Sequence, residues 1–222
     1  MADFFLDATE HGAPVGCLPS LEVHVDMWSE DFRRVESVAA LLARSNVQLR
    51  ITLDPSHLMF KIGNAEELIV SGVADDVAAG RLVLDPASPR ALHRLWLREG
   101  WVAHAHARSA VPAGPVNRRM QRTDGRPGRA IQYPFIAPPA GSFDDEWRPE
   151  RLEGWKLAMR QILAWKATHP KAPLSTISCE FIPFPDYGGG ARYSIWDNNL
   201  ACAAWLREEW AALEPRLTPP PP

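Results

Sequence analysis

The sequence QLRITLDPSH, residues 48–57, predicts a strand that ends at an aspartate. Its apolar residues occupy every second position from 49 to 53, the period of two that a half-buried strand shows. Pro55 has no backbone N–H for a strand ladder and pushes Asp54 toward extended geometry, so the strand ends there. The same residues also suit an ordinary turn with His57 on the surface. Parallel α/β proteins place their chemistry at the carboxyl ends of strands, which makes Asp54 and His57 candidate functional residues.

Three further segments have the length and pattern of strands, and helical patterns lie between them. The predicted strands are Leu21–Trp28, Gln48–Leu53, Trp101–Ala107 and Leu174–Phe181. The main predicted helices are 29–46, 88–98, 150–168 and 198–213. A strand, a helix and a strand in about 30 residues form a right-handed βαβ crossover. The sequence therefore predicts an α/β fold of four βα units on a parallel sheet.

The composition is typical of a globular, water-soluble protein. Of the 222 residues, 46% are hydrophobic and 23% are charged. A net charge of −3 gives no general attraction to nucleic acid or to anionic membranes. No apolar run approaches the roughly 20 residues of a membrane span. The three cysteines have no metal-type spacing, which favours a reduced, cytoplasmic setting.

The domain organisation follows from where the periodic patterns begin and end. Residues 1–20 are expected to be irregular, residues 21–214 to form one domain, and residues 215–222 to be a disordered tail. The segment 109–147 is rich in proline, glycine and arginine. Its arginines have two interpretations, a solvated loop or a grip on a substrate phosphate or carboxylate. They are Arg118, Arg119, Arg122, Arg126 and Arg129.

Chemically active side chains follow all four strands. If the strands are parallel neighbours, their carboxyl ends converge on one face of the sheet. Carboxylates with one or two imidazoles suit a divalent cation, and an oxygen-rich ligand set favours Mn²⁺, Mg²⁺ or Co²⁺ over structural zinc. The candidates are Glu22, His24, Asp54, His57, His104, His106 and Glu180.

These residues resemble the motifs of the xylose isomerase-like TIM barrels, a family of sugar phosphate isomerases and epimerases. Glu22-Val23-His24 resembles the family's E-x-H strand end, and Asp54-Pro55-Ser56-His57 its D-x-S-H. His106-Ala107-Arg108 resembles an H-x-R variant. Ser178-Cys179-Glu180-Phe181-Ile182-Pro183, followed by Tyr187, is similar to T-P-E-F/L-G-P…Y.

The resemblance implies a role for each matched position. It implies a metal held by Glu22, Asp54, His106 and Glu180. It also implies catalytic roles for Glu22, Glu180 and His57, and substrate binding by Arg108 and His24. A cation polarises a carbonyl and lowers the pKa of the neighbouring C–H proton, which a carboxylate then removes. His104 is expected to support a ligand rather than to be one.

The expected protein is therefore a divalent-metal-dependent isomerase or epimerase of a sugar, sugar phosphate or sugar acid. The four strands correspond to the second half of the family's eight-stranded barrel. Such a half would have two open edges and an apolar inner face, to be covered by a second copy in a homodimer or by a missing N-terminal half. The alternative is a catalytically silent truncated barrel that serves as a binding or assembly module.

Overall fold

The computed structural model describes residues 1–114, 117–129, 132–187 and 192–213, in which helices are interspersed with short strands. The strands are β1 (Leu21–Val23), β2 (Ile51–Leu53), β3 (Val102–Ala107), β4 (Asn117–Gln121), β5 (Pro127–Gly128) and β6 (Thr176–Cys179). The helices are α1 (Ala2–Gly12), α2 (Phe32–Ala43), α3 (Ser56–Met59), α4 (Ala65–Val70), α5 (Ala74–Ala78), α6 (Leu92–Arg98), α7 (Glu153–Thr168) and α8 (Ile195–Ala211). In the described part of the chain, no helix is both long enough and apolar enough to cross a membrane.

The central feature is a four-stranded sheet in the order β1-β2-β3-β6, with every neighbouring pair parallel. The predicted parallel sheet is thereby confirmed, although each strand is shorter than its sequence pattern. Glu22 is in register with Thr52, and Thr52 with His104. β4 and β5 form a separate antiparallel pair within the long segment after β3.

One face of the sheet forms the hydrophobic core beneath the helices. Val23, Leu53 and Ala105 are fully buried there. Helix α2 shows why these helices form: its buried residues recur every three or four positions, and the side chain of Asp31 caps its first turn by accepting from the Arg33 N–H. The helix therefore begins three residues after the predicted start at residue 29.

The other face of the sheet is polar, whereas an apolar inner face had been expected. Thr52 Oγ1 lies 3.0 Å from Ser20 Oγ, and His104 Nε2 lies 3.1 Å from Ser178 Oγ. Successive side chains of a strand point to opposite faces of the sheet. The residues on either side of Thr52 and of His104 point into the core, so Thr52 and His104 lie on the opposite, polar face. The face that carries the candidate site is therefore lined by hydrogen-bonding groups.

The expectation that residues 1–20 are irregular is wrong. Residues 2–12 form α1, and Phe5, with an exposed fraction of 3%, packs into the same core as the sheet. These few apolar positions give no visible periodicity, yet the tertiary packing of Phe5, with Ala2 and Leu6 beside it, stabilises the short helix. The expected disordered tail, 215–222, lies outside the described residues.

The arginine-rich segment is tied to the domain by ion pairs. Arg119 Nε lies 2.7 Å from Asp144 Oδ2, and Arg126 Nη1 lies 2.8 Å from Glu66 Oε1. Arg129 is buried, and its Nε donates to Glu67 Oε2 at 2.8 Å. These three guanidinium groups are engaged by carboxylates of the chain, which disfavours their use as a grip on a substrate phosphate.

Candidate metal centre

Three side chains from three strands meet at one point on the polar face. Glu22 lies on β1, His106 on β3, and Glu180 directly after β6. His106 Nδ1 lies 2.9 Å from Glu180 Oε2 and 3.3 Å from Glu22 Oε1. Donor atoms of the three residues all lie within 4.8 Å of one another, an arrangement that could hold a metal ion. The predicted convergence of these three residues is present.

The chemistry of this trio fits a divalent cation. His106 Nδ1 is buried between the two carboxylates, close to one oxygen of each. Burial lowers the pKa of His106, but the Glu180 and Glu22 carboxylates outweigh it and raise the pKa to about 10. Hydrogen bonding to His106 in turn lowers the pKa of Glu22. A proton on His106 thus occupies the position that a cation would take between two carboxylates.

A second group of donors adjoins the first and shares Glu22. Donor atoms of Glu22, His24 and His57 also lie within 4.8 Å of one another. The rings of His24 and His57 have their centres 4.1 Å apart. His24 Nε2 lies 2.9 Å from the hydroxyl oxygen of Tyr187, and its Nδ1 contacts the Val25 carbonyl oxygen, so both ring nitrogens are already engaged. The structure thus places His24 beside the site, as the sequence predicted.

Asp54, a predicted ligand, belongs to neither group. Its carboxylate is completely buried and accepts hydrogen bonds from Arg108 Nη2 at 2.6 Å and from the Ser56 N–H at 2.8 Å. Burial raises the pKa of Asp54, and the Arg108 guanidinium opposes that rise. The prediction did not foresee that Arg108, from the end of the neighbouring strand, would reach the carboxylate first.

His57 lies deeper than a residue facing the substrate would. The Val25 N–H donates to its Nδ1 at 3.2 Å, and Arg108 Nη2 lies 2.9 Å from its Nε2. Burial, followed by the positive charge of Arg108, lowers the pKa of His57 well below its usual value. His57 is therefore a neutral imidazole across the physiological pH range.

Arg108 contacts both the buried Asp54 and the metal-site residue Glu180. Its Nη1 lies 3.6 Å from Glu180 Oε2 and is one of the few buried polar atoms without a hydrogen bond among the described residues. Its guanidinium carbon lies 4.5 Å from the centre of the Tyr187 ring, in cation–π contact. Arg108 is completely buried, so it is placed to orient the Glu180 carboxylate rather than to face the substrate as predicted.

Two further residues support the site: Ser29, which was not predicted there, and His104, which was expected to support a ligand. Ser29 Oγ donates to the Glu22 carbonyl at 2.6 Å and accepts from the His24 N–H at 3.2 Å, which fixes the end of β1. His104 is not part of either donor group, and its ring packs edge-on against His106 at 5.1 Å. The sequence did not indicate this role of Ser29, because a hydroxyl that bridges a strand end has no recognisable spacing.

Comparison of the chain with protein-family models, with curated proteins and with solved structures gives no match.

Proposed function

We propose that the chain binds a divalent cation, Mn²⁺, Mg²⁺ or Co²⁺, through Glu22, His106 and Glu180. With it, the chain would act as an isomerase or epimerase on a sugar, sugar phosphate or sugar acid. The observation that supports this most strongly is the trio itself, in which a buried imidazole nitrogen lies between two carboxylates. Oxygen and imidazole donors without thiolate are the set that these cations accept.

The reaction class follows from what surrounds the trio. A bound cation would supply Lewis-acid polarisation of a substrate carbonyl. Glu22 is kept ionised by its lowered pKa and can take a proton from the neighbouring carbon, while Glu180 can return one. Arg108 Nη1, 3.6 Å from Glu180 Oε2, can orient that carboxylate for the transfer. Together these groups suit proton transfer beside a carbonyl.

The fold supports the same proposal. Four parallel strands, each followed by a helix or a loop, form the type of unit from which TIM barrels are built. The donors come from the middle of the short strand β1, from β3 near its carboxyl end and from the residue after β6. In TIM barrels this edge of the sheet carries the active site. We propose that the chain is part of such a barrel.

Proton exchange in heavy water tests the proposed reaction. Mn²⁺-loaded protein would be incubated in D₂O with ketoses, aldoses and their phosphates, and deuterium at the carbon next to the carbonyl measured by NMR. We expect incorporation with at least one of these substrates, strongly reduced in Glu180→Gln and largely kept in His104→Gln. Mn²⁺-loaded protein that exchanges no substrate proton would favour the alternative, a silent binding module.

A further inference from the structure

The chain leaves the sheet at the residue that carries one carboxylate of the candidate metal centre. β6 ends at Cys179, and the N–H of Glu180 still donates to the Ala107 carbonyl at 3.2 Å. Phe181 and Ile182 follow, and neither lies in a strand. Because backbone N–H and C=O groups near the core need hydrogen-bond partners, these two residues must find them outside the sheet.

Two carboxamide side chains provide the partners. Asn199 Oδ1 accepts from the Phe181 N–H at 3.1 Å, and Asn199 Nδ2 lies 3.4 Å from the Phe181 carbonyl oxygen. Gln132 Oε1 accepts from the Ile182 N–H at 2.8 Å, and Gln132 Nε2 donates to the Ile182 carbonyl at 3.2 Å. A carboxamide has a donor and an acceptor side by side, so each of these side chains contacts both backbone groups of one residue.

The two carboxamides are themselves held in place by other parts of the fold. Gln132 has an exposed fraction of 2%, and its Nε2 lies 3.3 Å from the Tyr193 hydroxyl oxygen. Asn199 belongs to α8, and its Nδ2 also donates to the Ile195 carbonyl of that helix at 3.0 Å. Turning either carboxamide over would exchange its donor with its acceptor, so the surrounding hydrogen bonds fix its orientation.

The Glu180 carboxylate depends on the backbone that these side chains hold. Its side chain is 32% exposed, so packing alone does not surround it, yet its Oε2 lies 2.9 Å from His106 Nδ1. We propose that Gln132 and Asn199 are positioning residues, which hold the Glu180 carboxylate against His106 by fixing the two residues that follow it. The consequence for a cation rests on the proposed function: a displaced Glu180 would bind the metal less tightly.

NMR of the metal-free, full-length chain tests the position of Glu180 without any cation. We expect a nuclear Overhauser effect between the Glu180 side chain and the His106 ring in the parent protein. The effect should be lost in Gln132→Met and in Asn199→Leu, because these side chains have a similar size but cannot pair with backbone groups. Since Asn199 is partly exposed, Asn199→Leu decides the outcome if Gln132→Met does not fold.

Gln161→Met provides the matched control. Gln161 Nε2 donates to the Pro86 carbonyl at 3.0 Å and so joins α7 to the segment before α6. The control also loses a carboxamide bound to backbone, and urea denaturation would compare its stability with that of Gln132→Met. The Overhauser effect should persist in Gln161→Met. A role of Gln132 in stability alone would leave the effect unchanged in both variants.

A Mn²⁺ titration by calorimetry separates this proposal from the proposed function. We expect Gln132→Met to weaken Mn²⁺ binding by about tenfold and Gln161→Met to stay within a few-fold of the parent. A parent protein that binds no Mn²⁺, while the Overhauser effect is lost as expected, would end the metal proposal and support the positioning role. An Overhauser effect that is absent from the parent, or kept in both Gln132→Met and Asn199→Leu, would overturn the positioning role.

Discussion

Arg108 Nη2 lies 2.6 Å from Asp54 Oδ2, and neither side chain has any solvent exposure. The two residues come from the ends of neighbouring strands, so this contact joins β2 to β3 immediately beneath the candidate metal centre. The Asp54 carboxylate therefore balances the charge of the buried Arg108 guanidinium and does not serve as a cation ligand. The contact also leaves Arg108 Nη1 beside Glu180.

Asp54→Asn should destabilise the fold more than it weakens cation binding. The substitution leaves the buried Arg108 without its charge partner, a change that costs about 3–5 kcal/mol in comparable buried pairs. Urea denaturation measures the loss. Asp144→Asn removes a partly exposed partner of Arg119 and should cost far less. Equal losses in the two variants would show that the Asp54–Arg108 pair is unimportant for stability.

Cation binding should release a proton from His106. The pKa of His106 is raised from 6.5 to about 10, so without a cation the folded protein keeps this proton at neutral pH. The stability that the proton contributes is full below pH 6.5 and is lost as the pH rises through 10. A cation needs the deprotonated ring, so its affinity should increase roughly tenfold per pH unit between pH 7 and 9. Calorimetry in buffers of different ionisation enthalpy measures the release. A pH-independent affinity would remove His106 from the ligand set.

His93 should make the fold sensitive to acid. Burial lowers the pKa of His93 from 6.5 to about 4, and the Gln161 side chain opposes this only in part. As the pH falls, the unfolded chain therefore takes up this proton before the folded protein does. The free energy of unfolding has its full value above pH 6.5 and decreases by on the order of 3 kcal/mol as the pH falls through 4. Urea titrations of His93→Gln should show a weaker pH dependence than the unsubstituted protein. The exposed control, His11→Gln, should behave like the parent.

Arg129→Gln should loosen the long segment after β3. Arg129 Nη1 lies 2.7 Å from Asp26 Oδ1 and 2.8 Å from Glu30 Oε2, while its Nε binds Glu67. Asp26 has a φ of 61°, an unfavourable backbone conformation that this contact helps to hold. We expect faster proteolysis within residues 109–148 and lower stability. Arg126→Gln, at an exposed ion pair, should change neither measurably.

The sequence predicted those features that depend on local pattern. The alternation in residues 48–53 and the proline at 55 placed a strand end at Asp54, and parallel pairing then brought Glu22, His106 and Glu180 together. Each of these steps follows from strand geometry and the order of the strands.

The features that the sequence did not predict depend on contacts between distant residues. Helix α1 packs into the shared core through Phe5, and its sequence shows no periodic pattern that predicts a helix. The engagement of Asp54 by Arg108 depends on which of several neighbouring groups reaches the carboxylate in three dimensions. Spacing along the chain does not decide such competition, because it fixes neither side-chain direction nor burial.

The central claim is that Glu22, His106 and Glu180 hold one divalent cation, and a Mn²⁺ titration by calorimetry tests it most directly. We expect one Mn²⁺ per chain. Loss of the anionic ligand in Glu180→Gln should weaken binding by more than tenfold. His104→Gln, which changes a ring beside the trio without removing one of its donors, should bind within a few-fold of the parent. Undiminished Mn²⁺ binding in Glu180→Gln, or no binding by the parent protein, would contradict the account.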